Sequence, residues 1–157
     1  MPAFPPAAPN LIRLCDFVAH YARVDPAREA LVWNELRLSY RAFADAVECC
    51  SAGLAAAGIK KGDRVAMLTT PRPEFATMLM ACLQRGAIWV GLNPRHQLAE
   101  FQHVVDDCRP AMLVSLQEGP DGRDYRPDLR VLAQAVERVV TFPDALPGVA
   151  TDRKSVV

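Results

Sequence analysis

From residue 64 onward the sequence alternates short apolar runs with segments whose apolar residues recur every three or four positions. The runs predict buried strands, and the helical spacing predicts amphipathic helices between them. The predicted strands are Arg64–Leu68, Ala87–Leu92, Ala111–Leu116 and Arg138–Phe142. Such an alternation is typical of a parallel sheet with helices on both faces. We therefore expect an α/β fold, a partial doubly wound and mostly parallel sheet with flanking helices and right-handed crossovers.

Three helices are predicted between these strands. The first begins at Pro73, which lacks only an N–H that a first helical turn does not use, and ends at Gly86. The second is closed by Arg109-Pro110, and the third is a short helix over Leu129–Val136 that follows a polar surface loop at 117–128. The first helix is expected to bury one stripe of side chains: Phe75, Met78, Leu79, Cys82 and Leu83.

The region before residue 64 predicts an antiparallel hairpin and two further helices. The hairpin strands are Glu29–Trp33 and Leu36–Ser39, joined by a two-residue turn. Ser39 is a natural N-cap for the helix that follows, and Gly58 supplies a left-handed end. Asn10 is predicted to cap the first helix, whose expected apolar stripe is Leu11, Leu14, Val18 and Tyr21.

The chain divides into three parts by composition. Residues 1–9 form a Pro/Ala leader that we expect to be mobile, and residues 10–150 form the α/β unit. Residues 151–157 break the apolar rhythm. Asp152–Val157 back-translates into the start of a widely used sequencing adapter read in reverse, so we expect the natural sequence to end near Ala150 and the tail to be read-through.

The composition excludes some classes of partner. Apolar residues make up 51% of the 157, which is enough to bury a core. Eighteen basic residues balance eighteen acidic ones, so we expect no nucleic-acid partner. Charged residues and prolines interrupt every apolar stretch well short of a membrane span, so no integral membrane segment is expected. The leader has neither the basic nor the apolar region of a secretory signal.

Five cysteines, an odd number without a C-x-x-C pair, argue against a disulfide framework. We interpret them as reduced, mostly buried small apolar residues of a cytoplasmic protein. A catalytic thiol is the alternative, but no histidine lies at a spacing that would activate one.

Ligands of doubly wound sheets bind at the carboxyl ends of the strands, where the loops to inspect are Thr69–Arg72, Asn93–Gln97 and Leu116–Asp121. None contains a nucleotide-binding glycine motif. Gly86 and Gly91 have the outer spacing of a phosphate loop, but Leu92 stands where its lysine belongs, so a helix end and close strand packing are favoured. Thr69-Thr70 could bind phosphate, although a strand end is favoured.

Other polar clusters have ordinary interpretations. Asn93-Pro94-Arg95-His96 is interpreted as a turn with solvated side chains. His20, His96 and His103 lack the spacing of a metal motif. Asp106-Asp107 is expected to be a pair of solvated charges near a helix end, because adjacent helix positions diverge. Trp33 and Trp89 lie in predicted strands and are expected in the core.

The order of several segments resembles the start of the adenylate-forming acyl-CoA synthetases, the AMP-binding enzymes. LSYRAFADAVECCSAGLAAAGIKKGDRVAML (Leu38–Leu68) is similar to the family's "-TY-EL-" helix and "G-GDRVA" strand, and Pro73-Glu74-Phe75 to its "PEF" helix start. LQRGAIWVGLNPR (Leu83–Arg95) is similar to "L-AGA--VPLNPR", and DDCRPAML (Asp106–Leu113) to the end of "E---ILEDS-AK-LF". The resemblance covers residues 11–143, and the "NPR" wording favours fatty-acid and aryl-acid CoA ligases.

The resemblance implies a two-step ligase. A carboxylic acid reacts with ATP and Mg²⁺ to give an acyl-adenylate and pyrophosphate, and coenzyme A then displaces AMP. The family's phosphate loop ending in "PKG", its "YG-TE" segment, its ribose-binding Asp and its catalytic Lys do not occur in this sequence. No catalytic, cofactor-binding or metal-binding residue is therefore assigned to any position. The fragment alone is expected to be inactive and to bind ATP, Mg²⁺ and coenzyme A poorly.

Two alternatives stay open at this point. One is a self-contained, non-catalytic α/β module that binds a partner, which would need a closed core and protected sheet edges. The other is a flavodoxin-like nucleotide-binding domain, which is disfavoured because no phosphate-type loop follows the first parallel strand.

Overall fold

A computed structural model describes residues 11–119 and 121–142. The predicted leader, Asn10 and the predicted tail at 151–157 lie outside these residues. In chain order the elements are α1 (Leu14–Val24), β1 (Glu29–Trp33), β2 (Leu36–Ser39), α2 (Tyr40–Ala56), β3 (Arg64–Leu68), α3 (Pro73–Arg85), β4 (Ile88–Leu92), α4 (Leu98–Cys108), β5 (Met112–Leu116), α5 (Arg126–Leu132) and β6 (Val139–Phe142).

Strands β3 to β6 form one parallel sheet in the order β4-β3-β5-β6, and β1 pairs with β2 as a separate antiparallel hairpin. Val65 of β3 lies between Trp89 of β4 and Met112 of β5. The chain therefore moves from β3 outward to β4, and then crosses back over β3 to continue through β5 to β6. This reversal is that of a doubly wound sheet, and it confirms the predicted fold class.

Strand β3 is buried on both faces, which explains its unbroken apolar run. Val65 and Met67 contribute to a core formed with α2 and α3, while Ala66 and Leu68 contribute to a second core formed with α4 and α5. The carboxyl ends of β3 and β5, where the winding reverses, therefore lie between two packed layers of helices.

The predicted N-cap at Ser39 and the predicted helix end at Gly86 are both confirmed. The Ser39 Oγ atom accepts a hydrogen bond from the Ala42 N–H at 3.2 Å and caps α2. Gly86 ends α3 with φ of +70°, and a Cβ there would lie 3.1 Å from the Lys61 Cγ atom. Gly91 packs against the Trp89 ring, and a Cβ at Gly91 would lie 2.6 Å from the Trp89 Cη2 atom. The interpretation of the two glycines as a helix end and a close packing contact therefore holds.

The prediction for α1 is wrong at its start and in its stripe. The helix begins at Leu14 after Arg13 as N-cap, because the Asp16 carboxylate accepts the Arg13 backbone N–H at 3.2 Å and its Nη2 at 2.7 Å. Its buried face is Cys15, Val18 and Ala22, while Leu14 is 55% exposed.

The polar loop expected at 117–128 is shorter than predicted. Helix α5 begins at Arg126, because the Asp124 carboxylate accepts the Arg126 N–H at 2.9 Å. Tyr125 is buried in the core beneath α5, since its N–H donates to the Gln117 carbonyl and its ring packs with Leu129 and Leu132.

Candidate functional site

The candidate site is the carboxyl edge of the parallel sheet, where the loops after β3, β4 and β5 emerge. Thr69 directly follows β3 and is buried, and its Oγ atom has no hydrogen-bond partner among residues 11–119 and 121–142. Ser115 of β5, which pairs in register with Leu68, donates its hydroxyl to the Leu116 carbonyl at 2.7 Å. Thr69 therefore lies at the end of the strand as expected, but its hydroxyl caps no turn among the described residues and is left unpaired at the winding reversal.

A buried ion pair dominates the loop after β3. The Arg72 Nη2 atom lies 3.2 Å from the Glu74 Oε1 atom, and the Glu74 side chain is only 1% exposed. The Arg72 guanidinium also stacks over the Trp33 ring at 5.1 Å. This arrangement fastens the hairpin strand β1 to the start of α3. The second Glu74 oxygen, Oε2, is buried without a hydrogen-bond partner in the part of the chain that the structure describes.

The stripe predicted for α3 needs correction because of Glu74. The helix buries Glu74, Thr77, Met78, Ala81 and Cys82 beyond its first proline, whereas Phe75, Leu79 and Leu83 are half-buried. A carboxylate in a first helical turn is usually solvated, so the apolar pattern alone predicts the wrong buried face for α3. The cation two residues earlier, Arg72, is the signal that could have indicated burial.

The loop after β4 is the turn that the sequence predicts. The Asn93 Oδ1 atom accepts the Arg95 N–H at 3.1 Å, and Asn93 and Arg95 are exposed. What holds this turn in place was not predicted. The Arg123 Nη1 atom donates to the carbonyl oxygens of Pro94 at 3.0 Å and His96 at 2.6 Å, and its Nη2 atom donates to Asp128 at 2.9 Å.

Arg123 lies between two aromatic rings, 5.5 Å from the Phe101 centroid and 5.1 Å from that of Tyr125. The loop after β5 is in turn tied to β6, because the Gln117 Nε2 atom donates to the Thr141 hydroxyl at 3.1 Å. Arg123 therefore joins the loops after β4 and β5, whereas the loop after β3 is tied to the hairpin through Arg72 and Trp33.

Candidate metal ligands do not converge in the described part of the chain, where no group of three or more His, Cys, Asp or Glu side chains could hold an ion. The His96 Nε2 atom lies 3.9 Å from Glu100, and Asp106 and Asp107 are exposed, as expected. Trp33 and Trp89 are half-buried rather than fully in the core. Trp33 lies beneath the Arg72 guanidinium, and Trp89 packs edge-on against Phe75 at 4.7 Å.

All five cysteines are free. Burial raises the pKa of Cys50 to about 11 and that of Cys82 to about 12, so neither thiol is a ready nucleophile. The expectation of burial holds for Cys15 and Cys82 and is wrong for Cys49, which is exposed on α2.

Cys49 borders an apolar groove of about 350 Å³, the second feature of functional interest. One wall is formed by Cys49 and Gly53 of α2 and by Ala57, its C-cap. The floor includes Val114 of β5 and Val140 of β6. Arg138 stands at its rim, where its Nη1 atom donates to the Ala57 carbonyl at 2.9 Å. Among the described residues, no helix is long and apolar enough to cross a membrane.

Comparison with known proteins gives consistent matches. The family model described as "AMP-binding enzyme" matches residues 18–154. The feruloyl-CoA synthase of Amycolatopsis sp. is 35% identical over 97 residues, which are 62% of this chain and 20% of that protein. The medium-chain fatty-acid–CoA ligase of Escherichia coli K12 is 34% identical over 135 residues, 85% of this chain and 22% of that protein.

The fold matches as well. The crystal structure of the N-terminal domain of FACL13 from Mycobacterium tuberculosis superimposes with a TM-score of 0.74 at 21% identity, covering 84% of this chain and 34% of that one. The matched region spans about a fifth of the length of these two curated relatives.

Proposed function

The chain belongs to the AMP-binding enzyme family, and we propose that it forms part of an ATP-dependent carboxylic acid–CoA ligase. The observation that carries the proposal is the family match over residues 18–154, which runs through the described fold from within α1 to β6. The two curated relatives compared above, named as CoA synthase and CoA ligase, support the thioester product.

The proposed reaction has two steps. The carboxylate of an organic acid attacks the α-phosphate of ATP, which releases pyrophosphate and leaves an acyl-adenylate. The thiol of coenzyme A then attacks the acyl carbon and releases AMP, with Mg²⁺ balancing phosphate charge in the first step. These substrates, Mg²⁺ and a cytoplasmic location are proposed for the whole ligase.

The described residues contribute positioning to this reaction. They offer no cluster of carboxylates for Mg²⁺, and three of the four positive-φ glycines, Gly58, Gly62 and Gly86, end helices or turn the chain before strands. Charged side chains at the carboxyl edge of the sheet form two ion pairs, Arg72 with Glu74 and Arg123 with Asp128. The proposal therefore includes that this chain alone does not adenylate an acid, because alignment and charge stabilisation would require groups outside it.

A chimera tests the proposal. The segment of the Escherichia coli medium-chain ligase that matches this chain would be replaced by residues 11–142. Acyl-CoA formation from decanoate, ATP and coenzyme A would then be measured for the chimera and for the isolated 157-residue chain. We expect thioester from the chimera and none from the isolated chain.

The controls separate folding from function. A chimera with Val65→Asp, a charge in the fully buried centre of β3, should fail to fold and to react, while one with Ala52→Glu on the exposed face of α2 should remain active. A monodisperse, folded chimera without ligase activity would contradict the proposal. It would favour the non-catalytic module.

A further inference from the structure

The apolar groove beside α2 is an incomplete part of the fold. Strand β6 shows the asymmetry most clearly: Val139 packs against the core formed with α4 and α5, whereas its neighbour Val140 faces the groove and is 40% exposed. Val140 is paired in register with Val114, which forms part of the groove floor. Parallel sheets are normally covered by helices on both faces. On the groove side of this sheet the cover extends over β5, where Val114 is 2% exposed, and stops short of Val140 in β6.

The wall that α2 contributes has room for a close neighbour. Cys49, Gly53 and Ala57 are spaced four residues apart and line the groove together. A Cβ at Gly53 would meet nothing within 4 Å. A second helix can approach a surface of such small side chains closely, with its own apolar side chains entering the groove.

From these observations and from the share of its relatives that the chain spans, we infer that the groove docks an apolar helix supplied by the part of the ligase outside this chain. The inference rests on the proposed function. The FACL13 domain that superimposes on this fold is about three times as long as the matched region, since the match covers 34% of it. A domain of that length has further elements available to cover the groove face of β6.

Two other occupants fit the groove less well. A second copy of this chain would need an interface of roughly 20–30 residues a side, and only ten residues line the groove. A free fatty acid would find one charged partner among the groove residues, Arg138, whose Nη1 atom already donates to the Ala57 carbonyl.

The Cys49 thiol reports directly on whether the groove is covered. It is exposed at the groove wall. Its rate of alkylation by iodoacetamide, followed by peptide mass spectrometry at pH 8, would be compared between the isolated 157-residue chain and the chimera. We expect alkylation at least ten times slower in the chimera. Cys108, half-buried at the end of α4, is the internal control and should change little.

A matched pair of charge substitutions identifies the surface. Val140→Asp in the chimera should restore rapid Cys49 alkylation, while Val32→Asp, the same change at a valine of similar exposure on β1, should not. Equal effects of the two substitutions would overturn the inference.

The remaining outcomes also decide the question. An active chimera in which Cys49 reacts as fast as in the isolated chain would overturn the docking inference and leave the proposed function intact. A protected Cys49 in a folded but inactive chimera would support the docking inference and contradict the proposed function. Protection that grows with the concentration of the isolated chain, or that decanoate alone produces, would assign the groove to a second copy or to a lipid and overturn the inference. If the chimera does not fold, the rest of the host ligase is added in trans, and absence of protection then counts against the inference.

Discussion

The Arg123 Nη1 atom lies 2.6 Å from the carbonyl oxygen of His96, although 27 residues separate the two. This hydrogen bond joins the loop after β4 to the loop after β5, so two of the three loops at the carboxyl edge of the sheet move as one unit. The guanidinium also donates to the Pro94 carbonyl and to the Asp128 carboxylate, so it binds three partners at once. Only a planar fork of several donors can do this.

Replacing Arg123 is therefore expected to be costly. Arg123→Ala should lower the free energy of unfolding by roughly 2–3 kcal/mol, because it removes the donor of the partly buried His96 carbonyl and the cation of Asp128. The Pro94 carbonyl would keep only the Tyr125 hydroxyl, at 3.3 Å. Arg123→Lys should recover only part of the loss. The urea midpoint of the 157-residue chain measures the effect. Arg126, whose ion pair with Asp124 is exposed, is the matched control, and an Arg126→Ala midpoint as low as that of Arg123→Ala would refute the account of the loop.

The pair of Arg72 and Glu74 should behave as a buried unit. Arg72→Met alone leaves the Glu74 carboxylate buried without its cation and should cost about 3 kcal/mol. The double variant Arg72→Met/Glu74→Gln removes both charges and should be more stable than Arg72→Met alone. A double-mutant cycle from urea denaturation measures the coupling, and additive effects would show that the two side chains do not interact.

Two glycines should respond in opposite directions to the same substitution. Gly86→Ala places a Cβ at φ of +70° and 3.1 Å from Lys61, which should cost roughly 1–2 kcal/mol. Gly53→Ala lies inside α2 with open space around it and should stabilise the chain by about 0.5–1 kcal/mol. Thermal unfolding of both variants checks the prediction, and a loss of stability at Gly53 would mean that the groove is tighter than the structure shows.

The buried thiols predict a loss of stability at alkaline pH. In the folded chain burial raises the pKa of Cys82 from 9.0 to about 12 and that of Cys50 to about 11. The unfolded chain therefore loses these protons first as the pH rises. Their contribution is complete below about pH 9 and is lost as the pH rises from 9 towards 11 and 12. The urea midpoint should fall between pH 8 and 10.5, and less so in Cys82→Ala; identical pH slopes in the two proteins would contradict this assignment.

The strands could be read from the sequence because their burial leaves a local trace. A parallel strand covered on both faces needs a continuous apolar run, and Val65–Leu68 is such a run. The predicted strand, Arg64–Leu68, has the bounds that the structure gives β3. The helix ends at Ser39 and Gly86 are also local, since each depends on the backbone within a few residues. These features therefore do not require knowledge of the tertiary structure.

The site residues could not be read in the same way. The burial of Glu74 depends on its ion pair with Arg72, whose guanidinium stacks on the hairpin residue Trp33. The role of Arg123 depends on a loop some thirty residues earlier. A charged residue in a polar segment has the same appearance whether it is solvated or paired. The small exposed face of α2 at Cys49 and Gly53 likewise becomes a groove only when β6 lies beside it.

The central claim is that this chain is a positioning part of an adenylating ligase whose reacting groups lie outside it. Acid-dependent exchange of labelled pyrophosphate into ATP tests the claim most directly, because it isolates the first half of the reaction. The claim predicts decanoate-dependent exchange by the chimera and no exchange by the isolated 157-residue chain. Exchange catalysed by the isolated chain, or a folded chimera that catalyses none, would contradict it.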